Sequence, residues 1–266
     1  MNIIVCIKQV PGVSDVNINP ETNTLIREGI SSIINPFDMY AIEEGLRIKE
    51  KFGGKVIVIS LGPPQSINAL REAVGMGADE AIQLSDRAFA GSDSWATAYT
   101  LALAIKKMGD FDIILCGKQA IDGDTGQVGP GIASQLSITQ LTYVFKIVKL
   151  ESESGTITVE RLLEEGREIV EAKLPVLLTV VKDINQPRAA TLYHLRRAAK
   201  LRIPVWTAGD LPEADLSKLG LKGSPTQVIK ISSPPKRKGA LDLIKADSIE
   251  QSAAILADKI IAEKIL

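Results

Sequence analysis

Four short, nearly unbroken apolar runs constrain the fold of this chain more than any other feature. They are NIIVCIK from residue 2, KVIVISLG from 55, FDIILCG from 111 and LPVLLTVV from 174. They are rich in β-branched residues and lack the polar alternation of a half-exposed strand, so they read as strands covered on both faces. Helical stretches separate the first three. MYAIEEGLRIKEKFGG puts Ile42, Leu46 and Ile48 near one face; Asn35-Pro36 marks its start and Gly53-Gly54 its end. Residues 65–76 read as a helix closed by Gly77, and Ser92 or Asp93 caps another over SWATAYTLALAIKKMG. EAIQLS is a short strand between those two. Strands alternating with helices imply parallel pairing through right-handed crossovers. The expected fold class is therefore α/β, a doubly wound parallel sheet.

After residue 138 the pattern changes. TYVFKIVKLE, GTITVERLLEEG and REIVEAKL alternate polar and apolar residues around glycine turns, which predicts an antiparallel excursion over about 140–174. A loop and a basic helix follow in NQPRAATLYHLRRAAKLRI. From Pro204 the chain is rich in proline and polar residues and ends in an amphipathic helix, SIEQSAAILADKIIAEKIL. We expect two parts: an α/β domain over 1–203, and a C-terminal arm and helix over 204–266 that lies over that domain or on a partner.

With 266 residues and 45% hydrophobic content the chain can build a sizeable core. A net charge of −1 argues against nucleic-acid binding, and 4% aromatic content leaves few stacking platforms for bases. No apolar run reaches membrane length, and the first ten residues lack signal-peptide flanks. Cys6 and Cys116 lie in apolar strands without metal-ligand spacing, so they read as buried thiols. These features fit a cytoplasmic protein.

A doubly wound sheet binds ligands beyond the carboxyl ends of its strands. The third apolar run leaves through CGKQAIDGDTGQVGPG, residues 116–131, which holds five of the chain's 21 glycines. A strand, a glycine-rich turn and a helix start are the parts of a phosphate site. Unpaired N–H groups and the helix dipole supply the attraction, and glycine permits close backbone approach. The stretch matches neither the P-loop nor GxGxxG, so an ordinary loop is an equal reading of the pattern alone. Asp122 and Asp124 also fit turn residues, and no third oxygen ligand points to a metal. Lys118 reads as a phosphate ligand or a solvated charge. Asn35-Pro36-Phe37-Asp38 and Ser60-Leu61-Gly62-Pro63 lie at the same predicted sheet edge.

These stretches, together with VCIKQVPG, REAVGMGADEAI and NQPRAATLYHLRRAAK, resemble the β subunits of electron transfer flavoproteins; GKQAIDGDTGQVGP carries the most specific match. The resemblance implies an adenine-nucleotide-binding α/β fold and a heterodimer with a larger α subunit that carries FAD. By motif, it places nucleotide contacts at Cys6, Asn35, Pro36, Phe37, Asp38 and Leu61. It continues them through Cys116, Gly117, Lys118, Gln119, Ala120, Ile121, Asp122, Gly123, Asp124, Thr125, Gly126 and Gln127, with Val128 and Gly129 starting the next helix. Simple electron carriers of the family bind AMP there. Bifurcating members bind the ADP part of a second FAD that takes hydride from NADH. KQVPG and DGDTGQVGP look like the bifurcating form, so FAD is favoured over AMP, although Gly12 stands where many relatives carry an acid. The segment over about 184–200 is the family's docking element for a flavin dehydrogenase of the acyl-CoA or 2-hydroxy-acid type. Leu192 and Tyr193 are the apolar candidates, and Arg188 and Arg196 belong to the basic rim. The rim charges also fit an ordinary solvated helix face, and His194 reads as structural. Ferredoxin or flavodoxin would be the low-potential acceptor, and the arm would pack on the α subunit. An adenylating enzyme would place a glycine- and serine-rich loop after the first strand, where KQVPGVSDV stands instead. A free-standing nucleotide sensor would leave the arm and the docking segment without a role.

Overall fold

The computed structural model describes residues 1–12, 18–19, 24–25, 32–211, 213–229 and 242–263, with backbone only at 18–19 and 24–25. The chain forms two compact units, Met1–Lys230 and Ile231–Leu266. The first unit runs through β1 (Asn2–Cys6), β2 (Gln9–Pro11), β3 (Ile18–Asn19), β4 (Thr24–Leu25), β5 (Ser32–Ile34) and α1 (Pro36–Phe52). It continues with β6 (Lys55–Leu61), α2 (Ile67–Met76), β7 (Glu80–Leu84), α3 (Ser94–Met108), β8 (Ile113–Gly117) and α4 (Val128–Leu136). Next are β9 (Thr139–Glu151), β10 (Thr156–Leu163), β11 (Gly166–Lys173), β12 (Val176–Val180), α5 (Leu192–Lys200) and β13 (Val205–Trp206).

Nine strands form one sheet in the order β11-β10-β9-β12-β8-β1-β6-β7-β13. From β9 to β13 neighbouring strands are parallel, and β10 and β11 add the expected antiparallel excursion. The two sheet faces carry separate cores. Ile3, Val5 and Val58 cluster with α1 and α2 through Ile42, Leu46, Leu70 and Val74. Ile4, Cys6 and Ile59 cluster with α3 and α4 through Leu101, Ile105 and Ile132. This is the doubly wound arrangement, and it explains why the parallel strands read as unbroken apolar runs.

Residues 204–219, expected to open the arm, instead finish this unit. β13 pairs with β7, Val205 opposite Gln83 and Trp206 opposite Leu84. Ala208, Leu211 and Leu219 are buried in the same core as Ile82 and Leu84. A two-residue strand and three widely spaced apolar residues leave no periodic trace in a sequence. The second unit contains α6 (Ile249–Ala262), whose first turn is capped by the Ser248 hydroxyl accepting from the Gln251 N–H at 3.2 Å. Most of the proline-rich run ISSPPKRKGALDLIKA lies outside the described residues. No described helix is long and apolar enough to cross a membrane.

Candidate functional site

β1 and β8 are neighbours, but the chain leaves them on opposite faces, through α1 on one and α4 on the other. The crevice at their carboxyl ends is thus a topological switch point. Cys6 and Cys116 pair in register at this edge, as do Thr179 and Cys116. Both thiols are buried; contact with Cys6, together with burial, pushes the Cys116 thiol well above its ordinary range. They form the floor of the site.

The first turn of α1 braces one side of the crevice. Asp38 Oδ2 accepts the Lys8 N–H at 2.7 Å, while Oδ1 accepts the Gly117 N–H at 3.2 Å and Asn35 Nδ2 at 3.0 Å. One carboxylate therefore ties the ends of β1 and β8 together. Gly117 must be glycine, because a Cβ there would lie 2.4 Å from Asp38 Oδ1 and 2.7 Å from the Phe37 carbonyl carbon. Asn35 precedes Pro36 at the helix start but makes no side-chain cap. Its amide reaches the loop instead, donating to the Gln119 carbonyl at 2.8 Å and accepting the Ile121 N–H at 3.1 Å. Both side chains are buried, so Asn35 and Asp38 build the frame on which the loop rests.

Burial pushes the Asp38 carboxyl from 3.8 up to about 7, against the pull of Asn35 and the Lys8 and Gly117 N–H donors. A carboxyl whose pKa is raised on folding contributes stability below its unfolded value and loses it as pH rises through its folded value. The stability advantage of the wild type over Asp38→Asn should therefore shrink between about pH 4 and pH 7, by at most about 1.4 kcal/mol per pH unit. Urea midpoints of the two proteins across that range test this. A constant difference would mean that the three donors outweigh burial.

Beyond Gly117, the Lys118 N–H donates to the Val180 carbonyl at 2.8 Å. The chain then turns, with the Gly123 and Asp124 N–H groups donating to the Ala120 carbonyl at 3.3 and 2.8 Å. Asp124 and Gly126 adopt left-handed φ values of 50° and 63°. Gln119 Nε2 holds Asp124 Oδ1 at 2.8 Å, Lys8 Nζ pairs with Asp122 at 2.7 Å, and Ser94 Oγ donates to Thr125 Oγ1 at 3.2 Å. The Lys118 ammonium lies 5.2 Å from the centre of the Tyr143 ring, and Tyr143 itself has a left-handed φ of 57°.

The loop ends at the N-terminus of α4. Among the described residues, the Val128 and Gly129 N–H groups have no protein acceptor. A Cβ on Gly129 would lie 2.7 Å from Thr179 Cγ2, so this glycine lets α4 sit close to β12. At Gly123 a Cβ would meet nothing within 4 Å, and at Gly126 only the Lys118 carbonyl at 3.5 Å. Among the described residues Gly123 thus faces open space, whereas Gly117 and Gly129 serve packing. Ile121 through Thr125 and Gln127 are exposed, and Lys118, Gln119, Ala120, Gly126 and Val128 are half-buried. Pro36 is exposed and Phe37 half-buried beside them; Leu61 ends β6 at the same sheet edge. The residues that sequence reasoning missed are Lys8, Ser94 and Thr179. Lys8 lies two residues beyond β1, whose carboxyl end is an expected ligand position in a doubly wound sheet. A hollow of about 330 Å³ on the α1–α2 side is lined by Ile33, Met39, Tyr40 and Glu72, and of the predicted contacts only Pro36 also lines it.

The expected docking residues divide. Leu192 and Tyr193, 79% and 74% exposed, project from the first turn of α5, and Arg196 is exposed beside them. The Thr191 hydroxyl caps this turn, accepting the His194 N–H at 3.2 Å. Leu195 instead leans toward α2; a Cβ on Gly75 would lie 3.1 Å from its Cδ2. Arg188 turns inward and pairs with Glu43 and Glu50.

Residues 22–211 match the electron transfer flavoprotein domain family. The chain is 57% identical over 235 residues to an electron transfer flavoprotein subunit beta of Thermoanaerobacterium thermosaccharolyticum, covering 88% of each protein. It is 49% identical over 260 residues to the same subunit of Clostridium acetobutylicum, covering 98% of each. It is also 45% identical over 264 residues to the protein FixA of Bradyrhizobium diazoefficiens, covering 98% of this chain and 91% of that protein.

Proposed function

The chain belongs to the electron transfer flavoprotein family, and we propose that it is the β subunit of a bifurcating heterodimer. In this reading it binds FAD at the β1–β8 crevice and works with an FAD-carrying α subunit. Electrons arrive from NADH and leave toward a flavin dehydrogenase of the acyl-CoA or 2-hydroxy-acid type and toward ferredoxin or flavodoxin. The C-terminal unit packs on the α subunit.

The observation that carries the nucleotide reading is the turn from Gly123 to Gly129. Among the described residues it presents an open glycine, a left-handed glycine and two N–H groups without acceptors at a helix N-terminus. Such N–H groups favour phosphate oxygens. In this reading the Val128 and Gly129 N–H groups hold the diphosphate, and the Thr125 hydroxyl adds a donor. Asn35 and Asp38 keep the loop at the height of the strand ends. When bound, the flavin supplies the hydride acceptance and stepwise electron release that no side chain provides. The chain's own part is to hold it and to set its surroundings.

AMP is the second reading, and one feature favours it. Lys118 rests on Tyr143 and Lys8 pairs with Asp122, so both ammoniums already have protein partners with which a second phosphate would compete. Anaerobic NADH addition to the purified heterodimer separates the two. Bleaching of flavin absorbance is expected; an unreactive flavin supports the AMP form.

A further inference from the structure

We propose that α1 is the brace that positions the docking segment, with Arg188 and Asn185 as positioning residues and not as partner contacts. This rests on the proposed function and on the docking role that the family resemblance implies for Leu192 and Tyr193. Arg188 Nε donates to Glu43 Oε2 at 2.8 Å, Nη2 to Glu43 Oε1 at 3.1 Å, and the Arg188 backbone N–H to Glu43 Oε2 at 3.1 Å. Nη1 and Nη2 also reach Glu50. All three guanidinium nitrogens thus face α1, and a planar fork used in this way has little left for a partner.

Asn185 repeats the arrangement three residues earlier. Its Nδ2 donates to Glu44 Oε2 at 2.9 Å and to the Tyr40 carbonyl at 3.0 Å. The Glu43 side chain is only 4% exposed and also accepts from Arg47 Nε at 2.8 Å. Burial raises the Glu43 carboxyl, but Arg188 and Arg47 bring it to a net value below the ordinary range, so it stays charged. The far end of α5 is tied to a second element. Arg71 Nη1 donates to the Ala198 carbonyl at 2.8 Å, and Arg197 donates to the Ala78 carbonyl. Between these ties Leu192 and Tyr193 stand exposed on a segment fixed at both ends. The N-terminus of α1 also holds Asn35, at its cap position, and Asp38, in its first turn, so nucleotide loop and docking segment are set against one helix.

The test compares Arg188→Gln, Glu43→Gln and their double variant, each as the heterodimer. Hydrogen exchange reports the order of residues 189–200. Electron transfer from an acyl-CoA dehydrogenase, reduced with its acyl-CoA substrate, to the oxidised heterodimer reports docking through the KM for the flavoprotein. Each single variant should speed exchange in 189–200 without changing exchange in β1 or β8. Each should raise KM about tenfold at little cost in kcat, and the double variant should be no worse than either single, because paired residues are not additive. Arg188→Lys, which keeps the charge but loses the fork, should fall between wild type and Arg188→Gln.

A raised KM for Arg188→Gln with wild-type behaviour in Glu43→Gln would overturn the proposal, since Arg188 would then touch the partner directly. Unchanged exchange in both single variants would also overturn it. Leu192→Asp serves as the control for the underlying reading. If it leaves KM unchanged, the docking role of Leu192 fails, and the exchange data still decide whether α1 braces the segment.

Discussion

A Gly126→Val variant, isolated with its α partner, is expected to lose the β-side nucleotide and keep the α-side flavin. Gly126 has a φ of 63°, a conformation that costs a non-glycine residue roughly 1–3 kcal/mol and is worst for a β-branched one. No steric collision with the protein adds to this, because a Cβ there meets only the Lys118 carbonyl at 3.5 Å. The strain is relieved most cheaply by re-forming the exposed turn, which moves Thr125 and the N-terminus of α4. The β-side affinity should fall at least about tenfold, the equivalent of about 1.4 kcal/mol. The strand ends should hold, since Asn35 and Asp38 tie them independently of the turn tip. Nucleotide content measured on the purified heterodimer decides. Wild-type occupancy of both sites would remove the loop from the binding site.

The second large effect is expected at Leu192. Leu192→Asp puts a charge on a side chain that is 79% exposed, so the fold should lose little. If Leu192 anchors a dehydrogenase, removing an apolar hot spot costs on the order of 2 kcal/mol, or about thirtyfold in affinity. NADH oxidation by the heterodimer should be spared while reduction of the dehydrogenase by this protein fails. Equal loss of both activities would contradict a docking role.

The parallel sheet was legible because its strands are buried on both faces and its helices carry clear stop signals. Asp93 caps α3 as its position suggests, accepting the Trp95 and Ala96 N–H groups at 3.0 Å. The loop after β8 was legible from its place between strand and helix. What the sequence did not show are contacts between distant residues. Asn35 looks like a helix cap, yet its amide serves residues more than eighty positions away. Arg188 looks like part of a solvated basic rim, yet its partners lie on α1, some 145 positions earlier for Glu43. The glycines of the loop also look alike in sequence. Only packing separates Gly117 and Gly129, which make room for Asp38 and Thr179, from Gly123, which faces open space. The strand β13 escaped notice because two residues carry no periodicity.

The most direct test of the account is to identify and count the nucleotides released from the denatured heterodimer. Two FAD per heterodimer, one lost selectively in Gly126→Val, is the predicted result. One FAD and one AMP per heterodimer would contradict the bifurcating role and leave an electron carrier of the same family.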